Sequence, residues 1–362
     1  MSPALSEIRT SVRSRVKSLR AKLDMPVKYN AWRHGEDHGR FAPDRLYIES
    51  TNHCNLKCIM CPTGLGVMKR PKGYMAMDLY RAIVDEMGPL SVSAVLHSWG
   101  EPLMHPDLFT MVRYGKAKGL AMETSTNITL LNDERAREVL GSGLDVLYLA
   151  LDGATKETYE RIRVNAKWDK VLRNVDRLLD LKSRSGSPLR VVLQIIAMNE
   201  TRAEVEEFVR RWDRPEVDQV NVKALDSWGG QVDAITGHRT EEERMPMERR
   251  PCPNLWYHGY IFWDGALTSC ERDYEIRTPL GNVRDQGVMA AWHGAEMRRL
   301  RRMHVEGRFE APACERCVEW SWWTPTRWKS AGTAPKVDSH ENRNGKKRNG
   351  GAAWSSAATP TA

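Results

Sequence analysis

Six short apolar runs, each separated from the next by a segment of helical spacing, constrain this chain of 362 residues more than any other feature. The runs are 45–50, 92–96, 120–125, 146–151, 190–197 and 219–223. Between them, 77–86, 106–118, 133–141, 167–183 and 203–212 repeat apolar residues every three or four positions, as a helix with one buried face does. Asn132 ahead of Asp133 and Glu134 is an N-cap signal, and Thr201 with Glu204 is spaced as a capping box. Strands joined by helices pair in parallel through right-handed crossovers. Six units predict an α/β fold with a partial (β/α)6 barrel rather than a closed eightfold one. Functional groups then gather at the C-terminal ends of the strands.

Lys plus Arg (55) exceed Asp plus Glu (47), a formal charge of +8. The excess sits at the ends. Residues 1–24 carry Arg9, Arg13, Arg15, Lys17, Arg20 and Lys22 against Glu7 and Asp24, whereas 331–362 carry Lys336, Arg343, Lys346, Lys347 and Arg348 against Asp338 and Glu341. A near-neutral middle argues against nucleic acid as a partner. Leu5, Ile8, Val12, Val16, Leu19 and Leu23 predict a basic amphipathic helix, and the Gly, Ala, Ser and Asn of 331–362 predict a disordered tail. No run approaches the roughly 18 to 20 apolar residues of a membrane span, nor is there a secretory signal. The expected location is the cytoplasm. The expected division is 1–44 (basic helix and lead-in), 45–235 (barrel), 236–330 (a smaller module of short strands and loops) and 331–362 (tail).

Seven cysteines fall into two sets. Cys54, Cys58 and Cys61 form C-x3-C-x2-C on the loop after the first strand; Cys252, Cys270, Cys314 and Cys317 follow in the smaller module. An odd count in a cytoplasmic chain points to thiolate chemistry rather than a disulfide framework. Three thiolates leave a metal or cluster one ligand short, which is a catalytic feature, while four close a zinc site or one 4Fe-4S cluster. Coordination alone leaves zinc and iron-sulfur open.

The first loop resembles the cluster loop of the radical S-adenosylmethionine (radical SAM) enzymes. The resemblance implies a 4Fe-4S cluster on Cys54, Cys58 and Cys61, its fourth iron chelated by SAM, whose cleavage yields a 5'-deoxyadenosyl radical. Met60 takes the position near the adenine, commonly aromatic in that family. Gly100-Glu101-Pro102 is similar to the segment in which a glutamate accepts a hydrogen bond from the SAM ammonium. Ser125 and Asn127 match the ribose-contacting segment, and Asp152 the segment that helps hold the SAM carboxylate. Ala150 stands where that segment usually has serine, so Arg161 or Arg163 is expected to pair with the carboxylate. The second set resembles the Twitch/SPASM auxiliary-cluster module, which implies a second 4Fe-4S cluster on Cys252, Cys270, Cys314 and Cys317.

With three cysteines on one site and four on the other, no thiol is spare to return a hydrogen atom, which disfavours epimerisation. A closed auxiliary cluster is suited to accepting an electron. The auxiliary spacing resembles the radical SAM dehydrogenases of aminoglycoside biosynthesis, which implies oxidation of a secondary alcohol of a sugar or aminocyclitol. A flavodoxin- or ferredoxin-type electron donor is implied. Expected catalytic residues are His97, Glu271, Asp226 and Arg272, with Lys223 and Trp228 facing substrate. Other readings are a sugar-acid or nucleoside decarboxylase, a ribosomal-peptide maturase and a non-enzymatic iron-sulfur or zinc scaffold. Only 44 residues precede the first strand, shorter than the leader-recognition domain of many maturases, which favours the small polar substrate.

Overall fold

The structure, a computed structural model, describes residues 25–33, 41–240 and 249–323. The N-terminal stripe from Leu5 to Leu23 and the tail at 331–362 lie outside the described residues.

Every predicted strand forms. They are β1 (Arg45–Ile48), β2 (Ser93–Val95), β3 (Ala121–Thr126), β4 (Val146–Ala150), β5 (Arg190–Ala197) and β6 (Gln219–Ala224), paired in parallel in chain order. Two further strands come from the C-terminal segment: β7 (His258–Ile261) runs parallel to β1 on its free edge, and β8 (Leu267–Thr268) is antiparallel to β7. The sheet therefore has eight strands in the order β8-β7-β1-β2-β3-β4-β5-β6. The smaller module is thus hydrogen-bonded into the barrel sheet through β7.

Helices α1 (Met77–Met87), α2 (Leu108–Ala117), α3 (Asp133–Gly141), α4 (Lys156–Ile162), α5 (Trp168–Ser185) and α6 (Val205–Trp212) occupy the crossovers. Asn132 caps α3 as expected, its side chain accepting from the Arg135 amide at 2.9 Å. The capping box expected at Thr201 does not form. Glu204 instead reaches the start of α4, accepting from the Ala154 amide (2.7 Å) and the Thr155 (2.8 Å) and Thr158 (2.5 Å) hydroxyls. A carboxylate at a helix N-terminus meets four unsatisfied N–H groups and the positive end of the dipole, so a neighbouring helix can outcompete the local cap.

Alternation along the strands sorts two faces. Leu46, Ile48, Ala94, Leu96, Leu147, Leu149, Leu193 and Ile195 are buried in the main core. Residues of the other parity face the barrel interior, where Tyr47, Val95, Tyr260 and Cys270 form one cluster and Val146, Tyr148 and Val192 another. That interior is unusually polar. Arg45 donates to Glu123 at 2.6 Å and the Tyr148 hydroxyl donates to the same carboxylate at 2.9 Å. The lead-in helix at 25–33 closes the barrel's base, with buried Lys28 paired to Asp44 at 2.5 Å and the Trp32 indole donating to the Pro251 carbonyl at 2.8 Å.

Candidate active site

The loop after β1 is held as a compact unit. Cys58 is buried and Cys54 and Cys61 are half-buried, all three as free thiols. Lys57–Cys58 pairs antiparallel with Arg163–Val164, which brings the distant segment after α4 under the loop. A Cβ at Gly64 would lie 2.3 Å from the Cys58 carbonyl oxygen, and one at Gly100 would lie 2.3 Å from that of Thr51. Glycine is therefore required where the loop folds back on itself and where it meets the end of β2. Burial pushes the Cys54 thiol up to about 12 and raises that of Cys58 as well, against the pull of Arg163 on the latter. Such thiols ionise only with a bound cation to compensate.

The two cysteine sets suit iron-sulfur clusters. Among the described residues, no group of three or more His, Cys, Asp or Glu is spaced to hold one metal ion. Yet Cys54, Cys58 and Cys61 influence one another electrostatically, as do Cys252, Cys270, Cys314 and Cys317. Thiolates that act on one another around one centre suit a cubane in which each sulfur meets its own iron.

Around the first loop the strand ends are fastened together by acceptors already in use. Glu101 is buried, accepting from the Leu103 amide (3.1 Å), the Thr126 hydroxyl (2.8 Å) and the Asn127 amide (2.7 Å). The carboxylate expected to meet the SAM ammonium thus also joins β2 to β3, with three of its roughly four acceptor sites used. Its own amide donates to the His53 carbonyl at 2.8 Å, tying the cysteine loop to Gly100-Glu101-Pro102. Pro102 opens a short 3-10 turn, Pro102–Met104. Asn127 faces the first cysteine, with its amide nitrogen 3.9 Å from the Cys54 sulfur and 2.9 Å from Asn55 Oδ1. The next residue, Ile128, is fully buried at φ 71°, a left-handed conformation that a β-branched residue adopts only under constraint, at a cost of about 1–3 kcal/mol. Ser125 is half-buried at the end of β3, and Met60 is 4% exposed in the core.

The two arginines nominated for the SAM carboxylate differ in placement. Arg163 is ion-paired with Asp152, and its Nη1 lies 3.5 Å from the Cys58 sulfur. Asp152, also expected near that carboxylate, is buried with its second oxygen accepting from the Ile196 amide at 2.8 Å. Arg161 is exposed on α4. The reason is local geometry: α4 ends at Ile162, between the two, so only Arg163 falls on the strand that pairs with Cys58.

The second set reaches the interior side of the sheet, where Cys270 packs with Tyr47, Val95 and Tyr260. Cys270 and Cys314 are buried, Cys252 and Cys317 half-buried. The Cys317 thiol donates to Glu319 at 3.2 Å. Glu319, fully buried, also accepts from the Ser227 amide (2.9 Å) and hydroxyl (2.6 Å) and pairs with Arg239 at 2.5 Å. Against its burial, Arg272 and Arg239 hold its carboxyl below the ordinary value. Arg272 grips Asp226 with two nitrogens, Nε at 3.1 Å and Nη2 closer still. Burial pushes Asp226 up to about 7 despite that partner. Asp226 and Arg272, expected as a proton acceptor and an alkoxide partner, are therefore engaged with each other and with Glu319. Sequence reading missed Glu319 and Arg239 because a carboxylate and a guanidinium 80 residues apart carry no local signal.

Two aromatic residues link the cysteine loops. Trp228 donates its indole N–H to the Met60 carbonyl at 2.9 Å, and Trp99 donates to that of Glu271 at 3.1 Å. Their ring centroids are 4.5 Å apart. Trp228 is thus set against the first loop, and its backbone at φ 55° is held by the Asp226 carboxylate, which accepts from its amide at 2.7 Å. The two remaining candidates differ from the Asp226–Arg272 pair. His97 Nδ1 is buried with no hydrogen-bond partner among the described residues, and burial, then Lys223 and Arg45, hold the imidazole down to about 3. The half-buried Glu271 side chain has no hydrogen bond or ion pair among the described residues, and its charge acts on Tyr47, Tyr260 and Asp226.

Residues 48–211 match the Radical SAM superfamily and 252–318 match the SPASM iron-sulfur cluster-binding domain. The chain carries a radical SAM domain followed by an auxiliary-cluster domain, with SAM and two 4Fe-4S clusters as its cofactors. Among curated relatives, the AdoMet-dependent heme synthase of Methanosarcina barkeri is 34% identical over 122 residues, 34% of this chain and 35% of that protein. Mycofactocin maturase MftC of Mycobacterium ulcerans is 32% identical over 142 residues, 39% of this chain and 38% of that protein. The matched part therefore spans little more than a third of each. Among solved structures, BtrN in complex with AdoMet and 2-DOIA has a TM-score of 0.52 at 17% identity, covering 76% of this chain and 93% of BtrN. Streptococcus suis SuiB bound to the precursor peptide SuiA has a TM-score of 0.59 at 13% identity, covering 83% and 80%. Both are likenesses of fold. Among the described residues no helix is long and apolar enough to cross a membrane.

Proposed function

We propose that this radical SAM enzyme is an oxidoreductase that dehydrogenates a secondary alcohol of a polar small molecule, sugar-like or aminocyclitol-like, seated in the barrel. When bound, SAM and the two clusters supply hydrogen-atom abstraction and an electron acceptor. Oxidation of a carbinol also requires a proton acceptor at the hydroxyl. The observation that carries the reading is the position of Glu271: an unpaired carboxylate one residue from Cys270, its backbone fixed by Trp99. Proton and electron then leave the substrate toward adjacent residues of one loop. His97, held neutral by its burial at the end of β2, donates or accepts a hydrogen bond there. Asp226 and Arg272 serve as positioning residues, locking the loop that carries Glu271 to Trp228. Glu101, Asn127, Asp152 and Arg163 hold the strand ends against the first cysteine loop, where Met60, Gly100, Pro102 and Ser125 complete the SAM pocket. Cytoplasmic location, a flavodoxin- or ferredoxin-type donor and a role in antibiotic biosynthesis belong to the same proposal.

Glu271→Gln tests it. With a carbon-deuterated alcohol substrate, the reconstituted enzyme should move deuterium into 5'-deoxyadenosine with one SAM consumed per ketone. The variant should still cleave SAM but lose about 10²–10⁴-fold in ketone formation. Solvent deuterium at the reacting carbon would instead indicate decarboxylation or epimerisation and refute oxidation. A second reading, maturation of a ribosomal peptide, is favoured by the 32% identity with a mycofactocin maturase. It predicts turnover with a precursor peptide encoded nearby and none with sugars.

A further inference from the structure

The cations around the barrel interior and mouth are paired with carboxylates. Arg45 meets Glu123, Arg70 meets Glu49, Arg163 meets Asp152, Arg239 meets Glu319 and Arg272 meets Asp226. Lys223 has no hydrogen bond or ion pair with any of the described residues. It nevertheless points inward. On β5, Gln194 and Ile196 share the face of Val192, a member of an interior cluster, and register places Asn221 beside Gln194 and Lys223 beside Ile196. Lys223 also acts electrostatically on His97, which follows β2. β2 and β6 are separated in the sheet by β3, β4 and β5, so the two side chains approach each other across the interior. An inward ammonium without a carboxylate, facing a neutral imidazole whose buried Nδ1 also lacks a partner, is an incomplete anion site.

We infer that Lys223, with His97 opposite, binds a carboxylate of the substrate, which narrows the substrate to an acid rather than a neutral or cationic molecule. A lone ammonium suits a carboxylate as a point charge, and the half-enclosed site strengthens the charge-assisted bond relative to water. SAM brings a carboxylate of its own, while Arg163 is already paired with Asp152 and Arg161 is exposed. The test must therefore separate the two sources. The inference rests on the barrel being the substrate site of the proposed oxidation, but it is read by binding without turnover and so fails independently of that reaction.

The experiment uses the reconstituted holoenzyme, Lys223→Met and Lys223→Arg. Affinity for SAM is measured by equilibrium dialysis. Thermal stability in the presence of saturating SAM is then measured with D-glucuronate against D-glucose, and with a tyrosine-ending tripeptide against its C-terminal amide. The expected result has three parts: SAM affinity within twofold in all three proteins; stabilisation by at least one carboxylate probe over its uncharged partner in the wild type and Lys223→Arg; and at least a tenfold loss of that probe's affinity in Lys223→Met. Stabilisation by glucuronate identifies a sugar acid, and by the tripeptide a peptide terminus. Either of two outcomes overturns the inference: a tenfold loss of SAM affinity in Lys223→Met, which assigns the lysine to the cofactor, or carboxylate probes indistinguishable from their uncharged partners in the wild type.

Discussion

Gly100→Ala isolates the fastening of the cysteine loop from the cysteines themselves. The added Cβ would lie 2.3 Å from the Thr51 carbonyl oxygen and 2.7 Å from that of His53, where ordinary contact begins at 3.4 Å. These obstacles are backbone, so the loop must retreat by about 1 Å. That movement breaks the 2.8 Å bond from the Glu101 amide to the His53 carbonyl. Overpacking of this kind costs about 1–3 kcal/mol, and a lost buried hydrogen bond adds about 1 kcal/mol. A destabilisation of about 2–4 kcal/mol should result, concentrated on the loop that carries Cys54, Cys58 and Cys61. Gly141→Ala is the control, because nothing lies within 4 Å of its Cβ at the end of α3 and its backbone is not left-handed. There alanine should stabilise by about 0.5–1 kcal/mol. The assay is iron content after anaerobic reconstitution together with the unfolding midpoint. Gly100→Ala should fall from about eight to about four irons per chain, with the auxiliary cluster retained. Full iron loading and an unchanged midpoint in Gly100→Ala would refute the claim that this contact positions the loop.

Cys58→Ala should abolish SAM cleavage, whereas Cys270→Ala should retain cleavage uncoupled from product and hold about four irons; loss of cleavage in both would show that the two sites are not separable. Burial holds His97 and His258 down to about 3, far below the value of about 6.5 in an unfolded chain. A depressed folded value contributes stability that is complete above pH 6.5 and is lost as pH falls toward 3. Each ring should therefore remove about 1 kcal/mol between pH 7.5 and 5.5, measured as a fall in the urea midpoint that flattens in His258→Asn. Arg70 grips buried Glu49 through two nitrogens, at 3.2 and 2.8 Å, and donates to the Tyr274 carbonyl. Arg70→Met should cost about 3–5 kcal/mol in thermal stability by leaving Glu49 unpaired, and adding Glu49→Leu should recover much of it. A double variant no more stable than Arg70→Met would show that the arginine's other contacts dominate.

The sequence by itself determined the barrel's six parallel strands, most of its crossover helices and the two cysteine sets. Each is written in short-range terms: alternation or helical spacing within a dozen residues, and three cysteines within one eight-residue loop. The seventh strand was not legible, because His258-Gly-Tyr-Ile is too short for alternation to stand out and finds its partner 213 positions away at Arg45. The site divided along the same line. Spacing nominated His97, Asp226, Glu271 and Arg272 on equal terms, since each is a polar residue at or beyond a strand end. Tertiary structure separated them, because a buried charge must be neutralised by whichever partner the fold brings near. Asp226 and Arg272, 46 residues apart, neutralise each other, and Arg163 is committed to Asp152 and Cys58. Glu271 and Lys223 have no such partner among the described residues. Which charges are consumed within the fold and which face the substrate depends on distances across the barrel, and those exist only once the strands have closed around it.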